Sequence, residues 1–260
     1  MLATLPRTPL RPSRRGFLKS GALAAAGLTL GFHGPTGRLA SALAAATLPG
    51  PFHGYLTIGL DGTVTVRAAH MDMGQGIYTG TATLVAEELD ADWAQMRVEG
   101  GWGNPKLFGN LAWGGEIQGT GGSTGTASSF LRYRQAGAAA RAMLIEAAAR
   151  MWGVPTDGIT VESGIVRHPH GKQASFAELA PKAAIMPVPA EVRLKDPAQW
   201  RYIGNPTLPR LDSVAKTRGT QAFTIDVRLP GMLTAVVAHP PRFGAKVASF
   251  DATAARAVKG

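Results

Sequence analysis

Two glycine-rich stretches, each placed directly before a helical pattern, constrain this 260-residue chain most strongly. The first, Gly74-Gln75-Gly76, follows alternating apolar and polar residues and precedes the helical pattern of residues 78–89. The second, Gly121-Gly122-Ser123-Thr124, precedes a longer helical pattern, residues 130–152. Strand and helix patterns therefore occur together, and they predict a mixed α/β fold of the α+β kind.

Both stretches have the chemistry of a polar binding loop. Glycine lets the backbone bend freely and lets a ligand approach without a Cβ in the way. The side-chain amide of Gln75 offers two donors and one acceptor, and the following helix begins with free N–H groups that favour an anion. Such loops suit a phosphorylated ligand with pterin-like polar edges. For the first loop by itself, the residues favour a plain turn that needs glycine for its dihedral angles over a binding loop.

The second loop makes a binding role more attractive, because two such loops can converge on one ligand. Residues 100–129 form a long stretch without a helix or strand pattern, which is typical of functional loops. The glycines are not a P-loop, since no lysine follows them, and their spacing does not match the dinucleotide-binding fingerprint.

The remaining patterns predict further strands and helices. Strands are expected at residues 55–60, 63–68, 95–99, 159–161, 165–167, 223–226 and 232–238. The sequence Ser175-Phe176-Ala177-Glu178 is a capping box that starts a short helix, and residues 251–258 begin another.

The amino terminus predicts export. Residues 1–46 contain six basic residues and no acidic one, and Arg14-Arg15 has the order and spacing of a twin-arginine signal. The apolar run at residues 21–32 is too short for a transmembrane anchor, which needs about 20 apolar residues. Without this segment the net charge falls from 27 − 17 = +10 to 21 − 17 = +4, so a nucleic-acid partner is not expected. We expect a periplasmic protein that is exported folded by the twin-arginine pathway.

The chain contains no cysteine. It therefore has no disulfides, and it cannot ligate an iron–sulfur cluster through thiolates. If electrons leave this protein through such a cluster, another chain must supply it.

Several motifs together resemble a known family. Met73-Gly74-Gln75-Gly76 with Thr79 resembles the molybdopterin-contacting segment of the xanthine dehydrogenase/aldehyde oxidase molybdenum subunits, and residues 119–129 resemble their second, hydroxyl-rich segment. The resemblance is to the branch named after the isoquinoline 1-oxidoreductase beta subunit, and it covers nearly everything from Phe52 onward. Other matching segments are Ala86-Glu87-Glu88-Leu89, Arg150-Met151-Trp152-Gly153-Val154-Pro155, Leu194-Lys195-Asp196-Pro197 and Leu208-Pro209-Arg210-Leu211-Asp212.

The resemblance implies a domain order and a set of site residues. It divides the chain into a signal peptide (1–46), a molybdopterin-binding region (47–211) and the beginning of an α/β hammerhead domain (212–260). The implied cofactor-binding residues are Gly74, Gln75, Gly76, Gly121, Gly122, Ser123 and Thr124. No residue of the chain is expected to ligate the metal or to act as catalytic base, because the family's Gly-Glu-Pro-Gly-like motif is absent.

The resemblance also implies an activity and partners. It predicts the molybdopterin-binding part of a periplasmic molybdenum hydroxylase, an oxidoreductase of aldehydes or N-heteroaromatics that uses water-derived oxygen. The cofactor is expected to be molybdopterin cytosine dinucleotide. The expected partners are an iron–sulfur subunit with [2Fe–2S] clusters, a c-type cytochrome, the remaining part of the molybdenum subunit and a small-molecule substrate. A truncated, non-catalytic remnant or exported binding module without cofactor is the alternative.

Other polar and aromatic residues are expected to serve the fold. His168-Pro169-His170 is interpreted as solvated surface, and the tryptophans Trp93, Trp102 and Trp113 as packing residues. Glu87 and Glu88 are predicted to lie on a solvated helix face. For Arg132 and Arg134, contact with cofactor phosphates and an exposed helix face remain equal alternatives.

Overall fold

The computed structural model describes residues 28–30 and 54–258. The chain divides into two compact units, Met1–Arg218 and Gly219–Gly260. In the part of the chain that the structure describes, no helix is both long enough and apolar enough to cross a membrane. The twin-arginine segment and the apolar run that follows it lie outside the described residues, except for residues 28–30.

The first unit contains a four-stranded sheet whose strands follow chain order. Its strands are β1 (Leu28–Leu30), β2 (Leu56–Ile58), β3 (Val64–Ala68) and β4 (Met96–Gly100). Strand β2 pairs antiparallel with β1 and β3, whereas β4 runs parallel to β3. A parallel pair needs a crossover connection, and helix α1 (Ile77–Leu89) supplies it. The predicted strands and helix in this region are present, with slightly shorter strands.

Helix α1 packs on β3 and β4, and two further helices follow β4 in the chain. Helix α2 (Pro105–Phe108) is a single turn, whereas helix α3 (Gly125–Trp152) has 28 residues and packs along α1. The contact between α1 and α3 is close because Gly137 has no side chain, and a Cβ there would lie 2.6 Å from the carbonyl oxygen of Val85. Helix α3 starts five residues before the predicted position. Leu131 is 57% exposed, so the prediction that it lies on the buried stripe of this helix is wrong.

A second sheet follows α3 in the chain. Strands β5 (Thr160–Glu162), β6 (Ile165–Arg167) and β7 (Gln173–Ser175) form an antiparallel sheet, of which β7 had no sequence prediction. The predicted capping box is present at the start of helix α4 (Phe176–Ala183). Four short 3₁₀ helices span Trp93–Gln95, Leu111–Trp113, Pro197–Gln199 and Thr224–Asp226, and the one-turn helix α5 spans Ser213–Thr217.

Between α4 and α5 the chain forms a mostly irregular segment, residues 184–212, which we call the connector. Two carboxylates near the end of α1 bind its backbone. Glu87 and Glu88 are fully buried, so the prediction of a solvated helix face is wrong. One oxygen of Glu87 accepts three backbone N–H groups, from Arg201, Tyr202 and Ile203. Glu88 accepts from the backbone of Lys195 and pairs with Arg134 at 2.7 Å. Buried charges must be paired, and these pairs fix residues 195–203 against α1.

The second unit does not contain the predicted strands. Within residues 219–258 the structure assigns the 3₁₀ helix Thr224–Asp226 and the short helix α6 (Thr253–Ala257), but no strand. The strand predictions at residues 223–226 and 232–238 are therefore wrong for this chain. A strand is stabilised by a neighbouring backbone, and apolar side chains such as Leu233 and Val236 are 85% and 94% exposed here. The alternation of apolar and polar residues indicates a strand but does not reveal whether a neighbouring strand is there to pair with it, and the described residues provide none.

Candidate functional site

The two glycine-rich loops lie side by side. The backbone N–H of Met71 donates to Thr120 Oγ1 at 2.8 Å, and His70 Nδ1 is 3.1 Å from the carbonyl oxygen of Gly119. Both contacts join residues 49 positions apart in the sequence. The structure thus brings together the two loops whose convergence the sequence suggested, although their role toward a cofactor stays a prediction.

The first loop is shaped largely by its own side chains. Gly74 and Gly76 have φ angles of 106° and 93°, which favour glycine. Gln75 Oε1 accepts from the N–H of Met73 at 2.6 Å, and Gln75 Nε2 donates to the carbonyl of Met71 at 3.0 Å. The amide carries two N–H bonds, so it can hold the loop and still donate once to a ligand.

Asp72 caps the beginning of α1 and was missed by sequence reasoning. Its Oδ1 accepts from the N–H of Gly74 at 2.8 Å, and its Oδ2 accepts from the N–H of Tyr78 at 3.0 Å. An aspartate two residues before a glycine is a known turn signal that could have revealed it. Because a carboxylate already satisfies this helix start, a phosphate there would meet a like charge.

The start of α3 is different. Gly122 and Ser123 both adopt the left-handed region, with φ angles of 61° and 55°. The N-cap residue Thr124 makes no side-chain cap, because its hydroxyl donates to the carbonyl of Gly121 at 2.8 Å and accepts from Asn110. The first N–H groups of this 28-residue helix are therefore not satisfied by a capping side chain, and the helix dipole favours an anion beside them.

Asn110 organises the second loop and was also missed by sequence reasoning. The residue is fully buried, and its amide nitrogen donates to Gly119 O at 3.3 Å and to Thr124 Oγ1 at 2.8 Å. Its amide oxygen accepts from the N–H of Ala112 and from the hydroxyl of Ser128. Its one local signal is its position as N-cap of the 3₁₀ helix Leu111–Trp113, where it accepts from Ala112, whereas Gly119, Thr124 and Ser128 lie further along the chain.

A cavity of about 770 Å³ opens where the loops meet the carboxyl ends of β3 and β4. Its lining includes His70, Met71, Tyr78, Gly119 and Thr120. The seven predicted site residues flank the cavity in sequence but are not part of its lining as the described residues form it. The size is in the range of small-molecule and cofactor sites.

His70 and Tyr78 have titration behaviour set by burial. Desolvation lowers the pKa of His70, although its hydrogen bond to Gly119 opposes that shift, so the ring is neutral at physiological pH. A carbonyl only accepts, so Nδ1 carries the proton and Nε2 is left as an acceptor. Nε2 is buried and has no partner among the described residues. Burial likewise raises the pKa of Tyr78, which keeps its hydroxyl protonated.

The arginines of α3 make ion pairs and hydrogen bonds within the fold. Arg134 is buried against Glu88, and Arg141 pairs with Asp90 at 3.1 Å. Arg132 donates to the carbonyl of Gly109 at 3.0 Å. Arg134 is therefore neither on an exposed helix face nor free for a phosphate, which were the two alternatives from the sequence.

The aromatic and histidine predictions largely agree with the structure. Trp93 and Trp102 pack against the core, as predicted. Trp113 is 42% exposed, and its ring lies beside the position that a Cβ of Gly119 would occupy. His168 and His170 stack in a turn, and residues 28–30 and 54–258 contain no group of three potential metal ligands.

Comparison with known proteins identifies the family. A family model described as "Molybdopterin cofactor-binding domain" matches residues 19–228. The chain belongs to this family. The predicted membership of the molybdopterin-binding xanthine dehydrogenase/aldehyde oxidase family is thereby confirmed, as is the mixed α/β fold class.

Three curated proteins are similar to this molybdopterin cofactor-binding chain. "Membrane-bound aldehyde dehydrogenase [pyrroloquinoline-quinone]" of Gluconacetobacter polyoxogenes is 38% identical over 95% of this chain and 32% of its own length. The beta subunit of isoquinoline 1-oxidoreductase from Brevundimonas diminuta is 32% identical over 100% of this chain and 38% of its own length. A nicotinate dehydrogenase subunit from Pseudomonas putida is 31% identical over 73% of this chain and 15% of its own length. The chain thus spans between 15% and 38% of the length of these relatives.

Two solved structures resemble parts of the chain. The CO dehydrogenase of Oligotropha carboxidovorans is 24% identical over 48% of this chain and 15% of its own, with a TM-score of 0.38. The quinoline 2-oxidoreductase of Pseudomonas putida 86 is 23% identical over 68% of this chain and 24% of its own, also with a TM-score of 0.38. These TM-scores are too low to support an argument.

Proposed function

We propose that this chain is the molybdopterin-binding part of a molybdenum hydroxylase that oxidises aldehydes or N-heteroaromatic compounds. The observation that carries the proposal is the contact between the two glycine-rich loops at the cavity, in a chain of the molybdopterin cofactor-binding family. The names of the three relatives contain the words aldehyde, isoquinoline and nicotinate, which supports aldehydes or N-heteroaromatic compounds as the substrate class.

The residues present fit such a cofactor. A Cβ at Gly74 would meet no described atom within 4 Å, so the backbone there can be approached closely. The uncapped start of α3, with Gly121, Gly122, Ser123 and Thr124, suits the phosphate, whereas Asp72 makes the start of α1 unsuitable for it. Gln75 and the Gly74 backbone would then face the uncharged polar edge of the pterin.

When bound, the cofactor supplies the redox-active metal centre at which substrate is hydroxylated. The chain's own part is to bind and orient it. His70 keeps the two loops together through Gly119, and its neutral Nε2 offers an acceptor without adding charge.

We also propose the finer features implied by the resemblance. These are water-derived oxygen, a cytosine dinucleotide form of the cofactor, electron transfer to [2Fe–2S] clusters on a separate subunit and onward to a c-type cytochrome, and a periplasmic location. The absence of cysteine supports the separate iron–sulfur subunit, since this chain offers no thiolate for a cluster. A cofactor-free remnant or exported binding module is the competing function.

The test compares two glycine variants in the complete assembly, with the remaining molybdenum-subunit polypeptide and iron–sulfur subunit co-expressed. Gly74→Val places a side chain into the open space before α1. Gly171→Val is a matched control, because Gly171 also has a positive φ and open surroundings but lies in the turn between β6 and β7. Backbone strain is thus similar in both variants.

Molybdenum and pyrroloquinoline quinone are measured per mole of purified protein. We expect molybdenum in the wild type and in Gly171→Val, and at least a roughly tenfold loss in Gly74→Val, because a methyl-bearing side chain excludes the ligand. Equal molybdenum in all three proteins would refute the role of the loop. Quinone without molybdenum in the wild type would instead assign the cofactor named for the Gluconacetobacter relative.

A further inference from the structure

The end of the connector passes along the first glycine loop. We define the connector end as residues 209–212. The carbonyl of Pro209 accepts from Trp93 Nε1 at 3.2 Å, and the N–H of Leu211 donates to Thr79 Oγ1 at 3.2 Å. Between them, Arg210 Nη1 donates to the carbonyl of Gly74 at 3.2 Å, across 136 positions of sequence.

The guanidinium of Arg210 is held in one orientation. Its Nε and Nη2 form a two-pronged pair with Asp212, at 3.0 and 2.8 Å, and Lys216 supports the same carboxylate. The Arg210 side chain is hydrogen-bonded to Asp212, which lowers the pKa of that carboxyl group to about 2. A bidentate pair fixes the plane of the guanidinium, so the remaining nitrogen faces Gly74.

Arg210 lies beside Gly76, whose φ angle of 93° is what favours glycine there. A Cβ at Gly76 would lie 3.5 Å from Arg210 Nη1 and 3.6 Å from its Cζ, which are ordinary van der Waals contacts. At Gly74 the corresponding space contains no described atom within 4 Å. Arg210 thus packs against Gly76 and leaves the face of Gly74 open.

The backbone of Gly74 is held from both sides by groups of opposite charge. Asp72 accepts from its N–H at 2.8 Å, and Arg210 donates to its carbonyl at 3.2 Å. A glycine without such restraints would be the most mobile residue of the loop. With both polar groups fixed, its open face has one orientation.

We propose that Arg210 is the positioning residue of the Gly74-Gln75-Gly76 loop. It fixes the Gly74 peptide so that the open face is ready for the cofactor, and Asp212 orients it for that task. Arg210 does not contact the reacting atoms. The inference rests on the proposed function, because the value of a fixed loop depends on the cofactor binding there.

The first test measures amide hydrogen exchange in the full 260-residue chain. The variants are Arg210→Ala and Arg210→Lys, with Arg150→Ala as control, since Arg150 also forms a carboxylate pair, with Glu146, on the exposed side of α3. Loss of one charge-assisted hydrogen bond predicts roughly five- to tenfold faster exchange at residues 73–76 in Arg210→Ala. Arg210→Lys should rescue only part of this, because an ammonium lacks the guanidinium fork. No change should occur in Arg150→Ala.

The second test measures molybdenum occupancy of the same variants in the complete assembly. We expect occupancy to fall several-fold in Arg210→Ala and to recover partly in Arg210→Lys. If Gly74→Val keeps full occupancy, the proposed function fails. If Gly74→Val loses occupancy but Arg210→Ala does not, the inference about Arg210 alone is overturned. Faster exchange confined to residues 209–218 in Arg210→Ala would also overturn it, because Arg210 would then only tether the connector.

Discussion

Replacement of Asn110 by alanine tests the architecture of the second loop. The Asn110 side chain makes four hydrogen bonds, with Gly119, Thr124, Ala112 and Ser128. It is fully buried, so water does not replace these bonds without rearrangement. We expect the loop that precedes α3 to loosen before the rest of the unit.

The magnitude follows from the partners that remain. In Asn110→Ala the hydroxyl of Thr124 still donates to the Gly121 carbonyl, and the N–H of Ala112 still donates to Ser128 Oγ. The Gly119 carbonyl still accepts from His70. Each former partner of Asn110 thus keeps a hydrogen bond. The free energy of unfolding therefore falls by about the contribution of four hydrogen bonds, roughly 0.5–1.5 kcal/mol each, reduced by relaxation of the loop around the smaller side chain. We expect about 3 kcal/mol of destabilisation, which lowers Tm by roughly 6–12 °C in a domain of this size.

Thermal and urea unfolding of the full chain provide the assay. The matched control is Asn205→Ala, because Asn205 is exposed and makes local hydrogen bonds to Arg201 and Thr207. Surface substitutions of this kind usually change stability by less than about 0.5 kcal/mol. If Asn110→Ala cost no more than Asn205→Ala, Asn110 would not be the organising residue of this loop.

Two further predictions concern helix packing and export. Gly137→Ala should destabilise the chain by roughly 1–3 kcal/mol, because the new Cβ would press on the Val85 carbonyl. Gly80→Ala is the control and should be neutral or stabilising, because Gly80 lies in an open part of α1. Thermal unfolding of both variants measures the two effects, and equal effects would contradict the prediction. Changing Arg14 and Arg15 together to lysine should leave the precursor in the cytoplasm, and normal periplasmic accumulation on fractionation would exclude the twin-arginine route.

Much of the first unit could be predicted from periodicity. Alternation located β2 and β3, and the helical period located α1 and most of α3. The start of α3 was placed too late, since Gly125 and the small polar residues after it carry no apolar stripe. The predictions for residues 223–226 and 232–238 failed for another reason, because a strand depends on a partner and not on its own sequence.

The candidate site was predictable only in part. Glycine, glutamine and hydroxyl residues before helices marked the two loops, because their backbone requirements are local. Asp72 also acts locally and could have been found from its spacing to Gly74. Arg210 and His70 could not, since their contacts join positions 136 and 49 residues apart. Long-range contacts of single polar side chains leave no periodic signal.

The two loops are not equivalent, and we infer from their difference how a bound cofactor would be oriented. The start of α1 already carries the Asp72 carboxylate, and Arg210 beside it is neutralised by Asp212. The start of α3 has no capping side chain, and left-handed residues precede it. An anion gains most where donors are free and no like charge stands near, so we propose that the phosphate binds at the start of α3. The uncharged pterin edge would then face the open side of Gly74, whose orientation we attribute to Arg210 and Asp72 together.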